Sequence, residues 1–254
     1  MRSFLVVACL VGGACIATAQ EEAPEPPPVD PAAVAILREA LDPIQAAQNV
    51  RVEFRTRVDV VQDEGHKLQF GSRDTAQIRR PDRARMTTAR DDGRRLEIRY
   101  DGATLSAYDE GEKVYGQFPV PDTLDATFDY LELEIGMPLP LADFFYSDLS
   151  HLSGVAIAGG IVGTSQIGEW SCDHLFFRGE SVDWQIWVER GDVRTLRKFV
   201  ITHHETAGEP QFAAIFERWN LATPAEDVTF AFTPPEGAER IPVLARPVSA
   251  GGVR

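Results

Sequence analysis

Apolar residues along this chain first recur at helical spacing and then, from Val50 onward, at every second position. Val34, Leu37, Leu41 and Ile44 form one apolar stripe of a helix. Asp30-Pro31 just before them suits a helix start, because Asp caps free N–H groups and Pro fits the first helical position. Pro43 falls inside the stripe and is expected to kink the helix or end it early. Then Val52, Phe54, Thr56, Val58 and Val60 alternate with Arg51, Glu53, Arg55, Arg57 and Asp59, the pattern of a half-buried strand. Glu64-Gly65 turns the chain into a second strand over 67–79, and Arg80-Pro81-Asp82-Arg83 into a third over 84–89. Asp92-Gly93, Asp101-Gly102 and Glu110-Gly111 lead into strands over 95–100, 104–108 and 113–118. These runs predict a first meander of about six strands.

A helical interlude follows. Leu124, Phe128, Leu131 and Ile135 share one face, with Asp122 or Thr123 placed to cap the start and Gly136 to end it. Met137-Pro138-Leu139-Pro140 is a rigid breaker, after which a short apolar helix is expected over 141–146, presenting Leu141, Phe144 and Phe145. A strand over 155–162 then opens a second meander, which continues over 172–178, 184–190, 196–204 and 211–219. Its connections, including Gly179-Glu180-Ser181 and Gly191-Asp192, leave no room for crossover helices, so these strands must pair antiparallel. Trp184, Ile186 and Val188 share one face of their strand, and Gln185, Trp187 and Glu189 the other. The whole predicts an α+β fold: one highly curved antiparallel sheet with its helices packed on one face.

The amino terminus changes how the chain is divided. Arg2, the apolar run from Phe4 to Val11 and Ala17-Thr18-Ala19 read as an export signal cleaved after Ala19. The run is too short, and too broken by Gly12-Gly13, to remain as a membrane span. Lipidation at Cys15 is the rival reading. Residues 20–30 form a proline-rich acidic spacer, 31–241 a single domain and 242–254 a tail. The formal charge of −14 repels phosphate backbones and anionic lipid surfaces, which argues against nucleic-acid partners and electrostatic membrane docking. Cys9 and Cys15 leave with the signal, so Cys172 stands alone and no intrachain disulfide can form.

Reactive groups are few. Cys172-Asp173-His174 holds a nucleophile, an acid and a base, but on a strand Asp173 points away from the other two and cannot orient His174. His203-His204 point to opposite faces, and neither His66 nor His151 stands at ligand spacing from them. The acidic pairs Glu132/Glu134 and Asp91/Asp92 read as solvated surface. No phosphate loop, nucleophile elbow or zincin motif occurs. Neither catalytic residues nor a metal or cofactor is expected.

Several strings carry a family likeness: Lys67-Leu68-Gln69-Phe70, Arg80-Pro81-Asp82-Arg83, Tyr100-Asp101-Gly102-Ala103-Thr104-Leu105, Pro138-Leu139-Pro140-Leu141-Ala142-Asp143, Cys172-Asp173-His174-Leu175 and Asp183-Trp184-Gln185-Ile186-Trp187. In this order they resemble domain-of-unknown-function family 2092, a family of predicted periplasmic proteins. More distantly, the plan is similar to the LolA/LolB lipoprotein carriers and the amino-terminal domain of the sigma-factor regulator RseB, down to the terminal Phe230-Ala231-Phe232-Thr233-Pro234-Pro235. The resemblance implies a periplasmic, unclosed half-barrel whose concave face is covered by helices. It also implies an apolar cavity that shelters a lipid or a lipoprotein acyl chain. Whether that cavity is open or filled stays open. The expected ligand contacts are Leu141, Phe144 and Phe145 of the short lid, docked over the face carrying Trp184, Ile186 or Trp187. The other expectation is an envelope-stress sensor or scaffold that binds an envelope protein along an open sheet edge.

Overall fold

The structure, a computed structural model, describes residues 29–148 and 156–243. The export signal, Cys15, the spacer up to residue 28, the connection at 149–155 and the tail beyond 243 lie outside the described residues. Helix α1 spans Pro31–Ala46, and the Asp30 carboxylate accepts from the Ala32 N–H at 2.8 Å. Pro43 neither ends nor shortens it. Leu41 and Ile44 on either side are both buried, and this packing outweighs the one backbone bond that the proline removes.

Six strands follow as a meander: β1 (Asn49–Val61), β2 (Lys67–Arg79), β3 (Arg83–Arg90), β4 (Arg95–Tyr100), β5 (Thr104–Asp109) and β6 (Val114–Pro119). The Asp-Gly turns work as the sequence suggests. Gly93 and Gly102 take φ of 89° and 93°, which a side chain would disfavour, and Asp101 Oδ1 accepts from the N–H groups of Ala103 and Thr104. The second meander is β7 (Ala158–Ile167), β8 (Trp170–Arg178), β9 (Asp183–Glu189), β10 (Leu196–Thr202) and β11 (Gln211–Asn220). β7 starts later than residue 155 and runs on to Ile167, past the expected end at 162. A register shift between Ile161 and Gly163 interrupts its alternation, which hid the second half of the strand.

The two meanders become one sheet through β1 and β11, antiparallel from Arg51↔Asn220 to Val58↔Phe212. The short strand β12 (Glu239–Arg240) adds parallel to β6. The resulting order is β12-β6-β5-β4-β3-β2-β1-β11-β10-β9-β8-β7, a twelve-stranded sheet that is curved and unclosed.

Helical turns occupy the concave face. Helix α2 (Leu124–Asp129), capped by the Thr123 hydroxyl on Ala126 N, runs into a π-helical turn at Tyr130–Glu134 and stops at Gly136, whose φ is 71°. Instead of a helix over 141–146 there is a single 3₁₀ turn, Ala142–Phe144. So short a segment closes one turn and depends on docking for its order. The main core lies between α1 and the second meander. Leu37, Leu41 and Ile44 pack with Phe177 (β8), Ile186 (β9) and Phe199 (β10).

Candidate functional site

Because α1 fills the concavity of the second meander, the concave face of the first meander is covered, among the described residues, by α2, its π turn and the loop over Met137–Ala142. A cavity of about 650 Å³ remains between them. Its floor comes from inward positions of four neighbouring strands: Phe54 and Thr56 (β1), Ser72, Asp74, Ala76 and Ile78 (β2), Ala84, Met86 and Thr88 (β3), and Ile98 (β4). Cross-strand register places these side chains in one field: Phe54 opposes Asp74, Ala76 opposes Met86, and Met86 opposes Ile98. Leu131, Leu139, Leu141 and Phe145 form the roof.

One end is closed by the buried side chains of Tyr100, Leu105 and Leu124. At the other end the bordering residues Val58, His203 and Gln211 are exposed. Here the β1–β2 hairpin carries Val58, Val60, Leu68 and Phe70, all exposed, with Val58 opposite Phe70 and Val60 opposite Leu68. These four continue the inward face of Phe54 and Thr56. The cavity therefore opens onto an apolar apron.

The roof is fixed by polar contacts rather than by regular structure. Arg80 Nη1 donates to Phe145 O at 2.5 Å, and Tyr146 Oη donates to Asp129 at 2.9 Å. Leu139 N donates to Glu132 at 3.2 Å, and Ser147 N donates to Asp125 at 3.1 Å. Burial pushes the Tyr146 hydroxyl well above its ordinary pKa, so it remains a donor to Asp129.

The six residues expected to touch a ligand fall in three places. Leu141 and Phe145 line the cavity. Phe144 is fully buried beneath them and packs edge-on against Phe199 and Phe216, with centroids 4.8 Å and 6.1 Å away. Trp184 and Ile186 belong to the core under α1. Trp187 points to the opposite face of the sheet, with Cys172 and Val200, as strand alternation dictates. The inward residues of β2 and β3 were missed, although they left a signal. Leu68, Phe70, Ser72, Asp74, Ala76 and Ile78 are one face of β2, and Asp74 stands out in it as an acid flanked by small and apolar residues.

The reactive-looking residues are arranged otherwise. His174 stacks on Trp187 at 4.1 Å and shares that outer face with Cys172, whose thiol is buried and pushed up to about 11, chiefly by desolvation. Asp173 lies apart from them, paired with Arg194 at 2.5 Å and Arg190 at 3.2 Å. His204 bonds Glu180 O, while His203 borders the cavity mouth. Among the described residues no three His, Cys, Asp or Glu side chains gather as a metal site, and no helix is long and apolar enough to cross a membrane.

The fold is thus an unclosed, curved antiparallel half-barrel with a helically roofed cavity in its concave face. Residues 33–244 match the family described as predicted periplasmic proteins, DUF2092, and the chain belongs to it. No protein of curated function matches the sequence. Among solved structures, the chain is similar to the lipoprotein LppX of Mycobacterium tuberculosis, with 15% identity and a TM-score of 0.48 over 78% of this chain and 100% of that one. It is similar to the LolA superfamily protein NE2245 of Nitrosomonas europaea, with 10% identity and a TM-score of 0.37 over 79% and 97%. It is also similar to MucB, with 16% identity and a TM-score of 0.44 over 82% and 65%.

Proposed function

We propose that this protein is a non-enzymatic periplasmic binding protein that holds a lipid, a lipoprotein acyl chain or another apolar ligand in the cavity of the first meander. The observation that carries this reading is an open 650 Å³ space walled by Phe, Ile, Met and Leu side chains in a sheet whose other half is packed against α1. That volume suits a small amphiphile. Each methylene moved from water onto such walls gains about 0.8 kcal/mol. The apolar apron at the mouth supports the reading further, since an acyl chain would meet apolar surface before it leaves water. The test is native mass spectrometry of protein taken from the periplasm, with a fluorescent fatty-acid titration of the delipidated form. Bound lipid or saturable probe binding is expected. A protein that carries no lipid and binds no probe would refute the reading.

A second reading, capture of an envelope polypeptide by strand addition, is favoured by β7. That strand ends the sheet order, and Ile161 and Val162 are exposed on it. Proline placed at Val162 would block such a partner without altering lipid binding.

A further inference from the structure

The floor of the cavity is apolar except at one place. Asp74 projects from the middle of β2 and is only 4% exposed. Three hydroxyls bond its carboxylate, two of them at Oδ2. Ser72 Oγ donates to Oδ2 at 2.5 Å, Thr56 Oγ1 lies 3.3 Å from the same oxygen and 2.6 Å from Ser72 Oγ, and Thr88 bonds the carboxylate from β3. The other oxygen, Oδ1, is buried and has no hydrogen-bond partner. Among the described residues no cation acts on this carboxylate: burial is the main influence on it, and the rest are the three hydroxyls. Arg85, which borders the cavity, directs its Nε to Glu97 at 2.7 Å. Asp59, at the mouth, is held by Lys67 and Gln69. A buried carboxylate with an unmet acceptor oxygen and no counter-charge is costly in an apolar wall.

We infer that the cavity selects amphiphiles that carry a primary ammonium, with the ammonium pairing with the Asp74 carboxylate and the alkyl chain lying in the closed apolar end beyond it. This deepens the proposed function and rests on it. The Ser72 and Thr56 hydroxyls hold Oδ2, and Oδ1 is left without a donor of its own. From Asp74 to Ile78 the strand advances by about 13 Å at the usual rise per residue. Ala76, Ile78, Met86, Ile98 and Leu105 line this stretch, and all are apolar. An ammonium supplies both the missing donor and the missing charge, a hydroxyl supplies only the donor, and a carboxylate brings a second negative charge.

The test is displacement of a bound fluorescent probe from the delipidated mature protein by dodecylamine, dodecanol and dodecanoate, each below micelle-forming concentration. The unmodified protein should rank them amine, alcohol, acid, and this ranking needs no variant. Asp74→Asn should reduce the preference for amine over alcohol by about ten- to a hundredfold, the loss of a charge-assisted hydrogen bond. Asp42→Asn removes the same charge from an exposed position on α1 and should leave that preference intact. Equal binding of all three amphiphiles, or a preference unchanged in Asp74→Asn, overturns the ammonium site while the cavity reading stands. Displacement by none of them, with no fluorescent probe bound, overturns both.

Discussion

Truncating Phe144 and Phe145 to alanine, one at a time, separates the packed part of the roof from the part facing the cavity. Phe144 is wholly buried, and its ring meets Phe199 and Phe216 nearly at right angles, with interplanar angles of 82° and 88°. Loss of a phenyl ring so enclosed costs about 3–5 kcal/mol. For a domain of this size each kcal/mol moves the melting temperature by about 2–4 °C, so Phe144→Ala should melt about 6–20 °C lower. Phe145 borders empty space, so one side of its ring already lacks partner atoms and its removal forfeits fewer contacts. Phe145→Ala should therefore melt closer to wild type while weakening acyl-probe binding. Thermal melts paired with a fluorescent fatty-acid titration read both effects. If Phe144→Ala melts like wild type and binds no probe, Phe144 belongs to the ligand wall, and the division between filled and open concavity is wrong.

Two further predictions concern titrating groups. Burial raises the Asp74 carboxyl above its ordinary value, so its contribution to stability is present below the unfolded-state pKa of 3.8 and lost as pH rises through the folded one. Asp74→Asn should accordingly gain in melting temperature over wild type at about pH 8 and lose that gain near pH 3, and parallel melting curves at both pH values would contradict the burial of an unpaired charge. The Cys172 thiol, raised to about 11, should resist iodoacetamide at pH 8 in the folded protein and react once unfolded. Cys172→Ala should cost about 1 kcal/mol in a denaturant melt and leave ligand binding unchanged; a folded variant that binds nothing would argue for a role beyond packing.

Much of this architecture is written locally. The alternation in β1, the Asp-Gly turns that place Gly93 and Gly102 at positive φ, and the Asp30 cap each depend on residues a few positions apart, so the sequence alone determined the hairpins, α1 and the curved antiparallel plan. It also placed Trp187 and Trp184 on opposite faces, because strand side chains alternate. What only the tertiary structure decided is how the concavity is divided. Pairing of β1 with β11 joins residues about 160 positions apart, and no local pattern encodes it. That pairing sets α1 over the second meander and leaves the first partly empty. It also gives two adjacent phenylalanines different roles, Phe144 packed in the core and Phe145 facing the cavity. Asp74 shows the same limit. Its chemistry is visible in the sequence, but its isolation from the cations of the described residues follows from which side chains the folded sheet brings around it, and burial makes that isolation matter.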